Sequence, residues 1–160
     1  MANSPIIEPY FSAAKAPYGF PLNEAKWIVE SLGTADSSQA SPVAGTRYNK
    51  GGSLVVPAGR WMVEYAAELE ATRGSSGALD AFATISTVAN SEANKEAKTK
   101  IVISSGVSMR GSVCLCGYVL DLAAKGTYYL NCKTGQASLS AIAFKGGEQK
   151  TRIRAVCGYL

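Results

Sequence analysis

The chain has 160 residues, a 47% hydrophobic fraction, and 16 Lys and Arg against 12 Asp and Glu, for a net charge of +4. That length accommodates one domain with a proper core and is short for two, and the composition argues against wholesale disorder. The scattered charge points away from nucleic acid, no apolar run approaches the roughly 20 residues of a membrane span, and the lack of histidine removes Ser-His-Asp and Cys-His nucleophiles.

The first part of the chain differs from the rest. It carries prolines at positions 5, 9, 17, 21 and 42, with Tyr10, Phe11, Tyr18, Phe20 and Trp27 between them. Proline at this density disfavours helices and central strands and favours extended or turn conformations. "MANSPIIEPYFSAAKAPYGF" has neither the basic start nor the unbroken apolar stretch of a signal peptide, so synthesis and use without export are expected. "AKWIVESL" is compatible with a strand, or with part of a short helix capped by Asn23 and ended at Gly33. "GTADSSQASPVAG", rich in small polar residues, is expected as a loop. Residues 1–45 are thus expected as an extended arm and linker, and residues 46–160 as the folded domain.

From residue 46 the pattern is β. "GSLVVPAGRWMVEYAAELEA" predicts a short strand, a Pro-Ala-Gly turn and a long strand. Alternation places Trp61, Val63, Tyr65, Ala67 and Leu69 against a core and Glu64, Glu68 and Glu70 on the opposite face. "TRGSSG" predicts a turn, and "ALDAFATISTVAN" a further strand. "SEANKEAKTK" is expected as an exposed connection, its basic cluster diluted by acids. "TKIVISSG" and "VSMRGSVCLCGYVLDL" follow as strands, and the glycines of the second indicate a bend or bulge. There Val107, Met109, Val113, Leu115 and Val119 share one side, and Cys114, Cys116, Tyr118, Leu120 and Leu122 the other, which predicts burial on both faces. "TYYLNCK", "ASLSAIAFK" and "KTRIRAVCGYL" complete the series, separated by Gly-bearing turns. Short strands without amphipathic helices between them indicate an all-β sandwich or barrel.

Candidate chemistry is sparse. Same-face residues on a strand lie about 7 Å apart, so Glu68 and Glu70 match the carboxylate spacing of inverting glycosidases. Any alternate pair on a strand matches it, and a raised pKa would need a desolvated pocket that the pattern does not supply. The glutamates are expected as a solvated or interface face, with Arg152 and Arg154 of the last strand as candidate partners between subunits. The four cysteines have neither a CxxC knuckle nor a histidine to complete a zinc site. Cys114 and Cys116 are spaced too widely on a strand for an easy mutual disulfide. Small buried thiols are expected, with disulfides the alternative. No catalytic set, cofactor site or metal site is expected.

"LVVPAGRWMVEYAAEL" resembles the early core strand of C1q/TNF-like jelly rolls. "GYVLDLAAKGTYYLNC" is similar to their later motif, an apolar strand leading through a glycine turn to an aromatic strand, and "TRIRAVCGYL" to their terminal central strand. The resemblance spans roughly residues 46 to 160 and implies an all-β, jelly-roll β-sandwich with an extended N-terminal arm. Unlike in the secreted members, no signal segment or collagen-like stalk is expected here.

A β-sandwich with a Pro- and aromatic-rich arm and no catalytic set resembles bacteriophage capsid decoration (cement) proteins. That resemblance implies a non-enzymatic structural virion protein, made in the host cytoplasm and placed on the capsid exterior. Its partner would be the major capsid protein, engaged through Tyr10, Phe11, Tyr18 and Phe20 of the arm. A homo-oligomer is implied, a trimer in preference to a dimer. The alternative is a receptor-binding or adhesin module at a phage tail fibre or spike tip, using loop aromatics such as Trp27 and Tyr48. Neither reading involves nucleic acid or a membrane.

Overall fold

The structure, a computed structural model, describes residues 27–92, 97–147 and 149–158. The expected partner contacts Tyr10, Phe11, Tyr18 and Phe20 lie outside the described residues. Among the described residues the regular elements are all strands: β1 (Ile28–Gly33), β2 (Ser37–Ala40), β3 (Arg47–Val56), β4 (Gly59–Ser86), β5 (Lys98–Leu122), β6 (Gly126–Lys133), β7 (Leu139–Lys145) and β8 (Thr151–Cys157). Every pairing is antiparallel.

The registers reduce the fold to long rows laid side by side. On one edge the β6–β7–β8 row pairs with β3, β2 and β1 in turn. On its other edge, β8, β7 and β6 pair with successive parts of β4, at Trp61–Ala66, Glu68–Arg73 and Phe82–Ser86. β5 follows the far edge of β4 from Gly59 opposite Leu122 to Thr84 opposite Lys98. Rows of this length must bend, and here they roll into two layers. One holds β1, β8, the first half of β4 and the second half of β5; the other holds β3, β6, the second half of β4 and the first half of β5. The open sides approach each other, since a Cβ on Gly52 of β3 would lie 3.9 Å from Ser31 Oγ of β1. The result is an all-β sandwich close to a closed barrel.

Alternation along β4 builds the core. Trp61, Val63, Tyr65, Ala67, Leu69 and Ala71 are buried from the first layer, and Leu79, Ala81, Ala83 and Ile85 from the second. They meet Ile153 and Ala155 of β8, Leu130 and Cys132 of β6, and Ile142 and Phe144 of β7 in one cluster. The inward row predicted at Trp61–Leu69 is therefore the core row, with the intervening glutamates facing out.

Several sequence expectations are corrected. "TRGSSG" is not a turn that ends a strand: β4 runs through it, with register shifts between Thr72 and Gly77 and between Gly77 and Leu79. Gly77 opposes Gly106, and Ser76 Oγ meets Ser105 Oγ at 2.9 Å, so small residues on both strands let the ladder bend without breaking. "AKWIVESL" takes its strand alternative as β1, paired with β8, while "GTADSSQASPVAG", expected as a loop, contributes β2, paired with β7. β2, "SSQA", has little strand propensity of its own and is held by the edge of β7. The exposed connection "SEANKEAKTK" is shorter than expected, because Ala97 is fully buried and β5 begins at Lys98.

The grouping of side chains by face along β5 is also corrected. Tyr65 opposes Leu115 and Val63 opposes Tyr118, so one extra residue sits on β5 between them. Gly117 supplies it, in the left-handed region at φ 75°. The bulge reverses the phase of alternation. Met109 and Val113 point inward before it, and Leu120 after it, while Val119 is left facing solvent.

Candidate interaction surface

The glutamates line the outer face of the first layer, and each has a cation beside it. Glu64 lies 3.6 Å from both Arg152 and Arg154 of β8. Glu68 accepts from Arg110 of β5 at 2.8 Å, and Glu70 lies 3.3 Å from Lys145 of β7, which also binds Asp36. Lys145 and the Gly146 N–H hold the Asp36 carboxyl below the usual carboxylate range. The arginines expected as partners between subunits thus pair with Glu64 within the chain. The pairs lie near solvent, where each contributes about 0–1 kcal/mol. A shallow open depression of about 440 Å³ near them is lined by Leu32, Ala66, Gln149, Lys150 and Arg152, with no carboxylate. Among the described residues, no three His, Cys, Asp or Glu side chains converge as a metal site would require.

Beside the charged rows runs an apolar one. Ile28 opposes Val156, Val156 opposes Met62, and Met62 opposes Val119, so one line of side chains crosses all four strands of the layer. Ile28 is 37% exposed, Met62 42% and Val119 48%, and Leu32 on the same face is 50% exposed. The line is framed by charge. On one side stand Glu30, Arg154 and Glu64; on the other Arg60 and Asp121, 3.7 Å apart. Acids and bases alternate in both margins, so the patch as a whole is close to neutral.

Cysteine placement departs from expectation. All four thiols are free, but only Cys132 is buried; Cys114 and Cys116 are exposed on the outer face near the apolar row, and Cys157 is intermediate. Burial pushes the Cys132 thiol up to about 12. In native protein near neutral pH, a maleimide is expected to label Cys114 well before Cys132, and Cys132 only on unfolding. Peptide mass spectrometry after timed labelling checks this; equal rates would contradict the placement.

The outer face of the second layer is different in character. One end is covered by residues 87–92, fastened through Asn131, which has no exposure. At the other end Arg47 opposes Lys133, Lys133 opposes Phe82, and Phe82 opposes Lys100. Periodicity along one strand carries no signal for either cross-strand row, because each draws one residue from each of four distant strands. Tyr48, a candidate loop aromatic, lies within β3, its hydroxyl accepting from the Val43 N–H at 2.9 Å. Trp27 stands immediately before β1 and its carbonyl accepts from the Cys157 N–H.

No protein-family model matches the chain, and no curated protein is similar to it.

Proposed function

We propose that this chain is a non-enzymatic structural protein of a virion, a capsid decoration protein that binds the major capsid protein lattice as a homo-oligomer. The observation that carries the reading is the outward-facing apolar row Ile28–Val156–Met62–Val119, exposed at Ile28, Met62 and Val119 and framed by paired charges. An apolar line with a mixed-charge margin has the anatomy of a protein interface rather than of a solvated face. The glutamates beside it are engaged by cations, which favours a positioning role over covalent work.

The finer description of the fold as a jelly roll belongs to the same reading. Long antiparallel rows joined in one eight-stranded sheet support that reading. In this reading the apolar row lies between copies, three by the resemblance, and Tyr10, Phe11, Tyr18 and Phe20 reach neighbouring shell subunits. The experiment is a copy count in purified particles by quantitative mass spectrometry. Copies in a fixed, high ratio to the main shell protein are expected. A handful of copies per particle, or none, would overturn the lattice role.

A further inference from the structure

We propose that the row Arg47–Lys133–Phe82–Lys100, with Lys98 beside it, binds a tetrahedral oxyanion, a phosphate or sulfate group. The register sets Arg47, Lys133, Phe82 and Lys100 in line across β3, β6, β4 and β5. The ring of Phe82 is the floor of the cluster. The ammonium groups of Lys100 and Lys133 each lie 4.9 Å from its centroid, and that of Lys98 lies 5.6 Å away.

Among the described residues, few carboxylates stand near these cations. Glu92 is shared between Arg47 and Lys98. Asp80 approaches Lys100 only to 4.0 Å, while its other contacts are the Thr134 hydroxyl at 2.8 Å and the Gly135 N–H at 2.7 Å. No described carboxylate is in ion-pair range of Lys133, and the buried Arg47 Nε–H meets no acceptor among the described residues. Among the described residues, the carboxylates facing Arg47, Lys98, Lys100 and Lys133 are those of Asp80 and Glu92.

The sequence places like charges where the sheet disfavours them. Arg47 directly opposite Lys133 is a destabilising cross-strand pair. Burial, and then the charges of Arg47 and Lys98, lower the Lys133 pKa, opposed by Asp80. Local conflicts of this kind are characteristic of sites kept for binding rather than for stability. An oxyanion held between the ammonium groups would accept from them in charge-assisted hydrogen bonds and relieve the repulsion. The site is in the opposite layer from the apolar row and does not depend on the virion role.

The test is thermal unfolding and calorimetric titration of the full chain with inorganic phosphate, sulfate and glycerol 3-phosphate, against sodium chloride at equal ionic strength. A saturable rise in Tm with the oxyanions and not with chloride is expected. Phosphate binding more tightly than glycerol 3-phosphate identifies a free ion; the reverse order identifies a group carried on a larger ligand. Lys133→Met is expected to be as stable as the parent or more so in chloride, and to bind at least about tenfold more weakly. Lys125→Met, an exposed lysine outside the row, is expected to bind as the parent does. Should Lys133→Met fail to fold, Lys100→Gln carries the same comparison. Equal Tm responses to oxyanions and chloride, or undiminished binding in the row variants, would overturn the site.

Discussion

Tyr65→Ala is expected to destabilise the protein by about 3–5 kcal/mol, and Tyr65→Phe by about 1–2 kcal/mol. Tyr65 is among the largest fully buried side chains, at the centre of the inward row of β4. Its ring is packed on the first layer, while its hydroxyl donates to the Ala83 carbonyl at 3.1 Å and meets Thr99 Oγ1 at 2.8 Å. Ala83 and Thr99 oppose each other across β4 and β5 in the second layer. One side chain therefore fills the core and ties the layers together. Alanine leaves a cavity that surrounding strands cannot close without breaking ladders; phenylalanine keeps the packing and strands two polar partners.

The pH dependence separates the hydroxyl from the ring. Burial pushes the Tyr65 hydroxyl up to about 12, with its hydrogen bonds to Thr99 opposing the shift. Its contribution is fully present below the unfolded value of about 10 and is lost as pH rises through the folded value. Tyr65→Phe is expected to flatten the fall in stability between those limits. The Cys132 contribution remains, since its folded value is also raised and its unfolded value is lower. Urea denaturation at stepped pH reads both effects. An unchanged midpoint in Tyr65→Ala would contradict the core placement.

The second large effect is expected at Asn131. Asn131→Ala should cost about 2–3 kcal/mol, because the buried amide satisfies three backbone groups and its loss leaves them short of partners. Its Nδ2 donates to the Val88 carbonyl at 3.2 Å and the Ser91 carbonyl at 2.8 Å, and its Oδ1 accepts from the Asn90 N–H at 3.1 Å. Asn90, in the left-handed region at φ 59°, in turn accepts from the Asn49 N–H. The side chain thus fastens residues 88–91 over β6 and β3. Asn131→Ala should accelerate hydrogen exchange at Asn49 and Asn90 while the Trp61–Leu69 row stays protected. Exchange unchanged at both amides would show that the segment is held by something else.

How far the fold could be foreseen varies by element. The Trp61–Leu69 row was legible because alternation over nine positions admits one reading, and the later strands were bounded by their own glycines. β2 was not, since "SSQA" acquires strand structure only from the exposed edge of β7. The phase reversal in β5 appears in sequence merely as Gly117 between two apolar alternations, and only the opposing register of β4 reveals a bulge. β4 continues through "TRGSSG" because Gly77 and Gly106 face each other, a pairing local sequence does not contain. Both surface rows depend on topology in the same way. Ile28, Val156, Met62 and Val119 become neighbours only once four strands are in register, as do Arg47, Lys133, Phe82 and Lys100. The glutamates were correctly placed outward, but their partners come from β5, β7 and β8 and were not all foreseeable.

The most direct measurement is the solution mass of the purified full chain, by light scattering after size exclusion, compared with Met62→Lys and Val119→Lys. Both positions are exposed, so neither substitution disturbs the core. A single species at a whole multiple of the 16.7 kDa chain is predicted for the parent, with both variants reduced to one copy at unchanged thermal stability. A parent protein that runs as one copy at every concentration, or variants that assemble as the parent does, would contradict the apolar row as the face between copies.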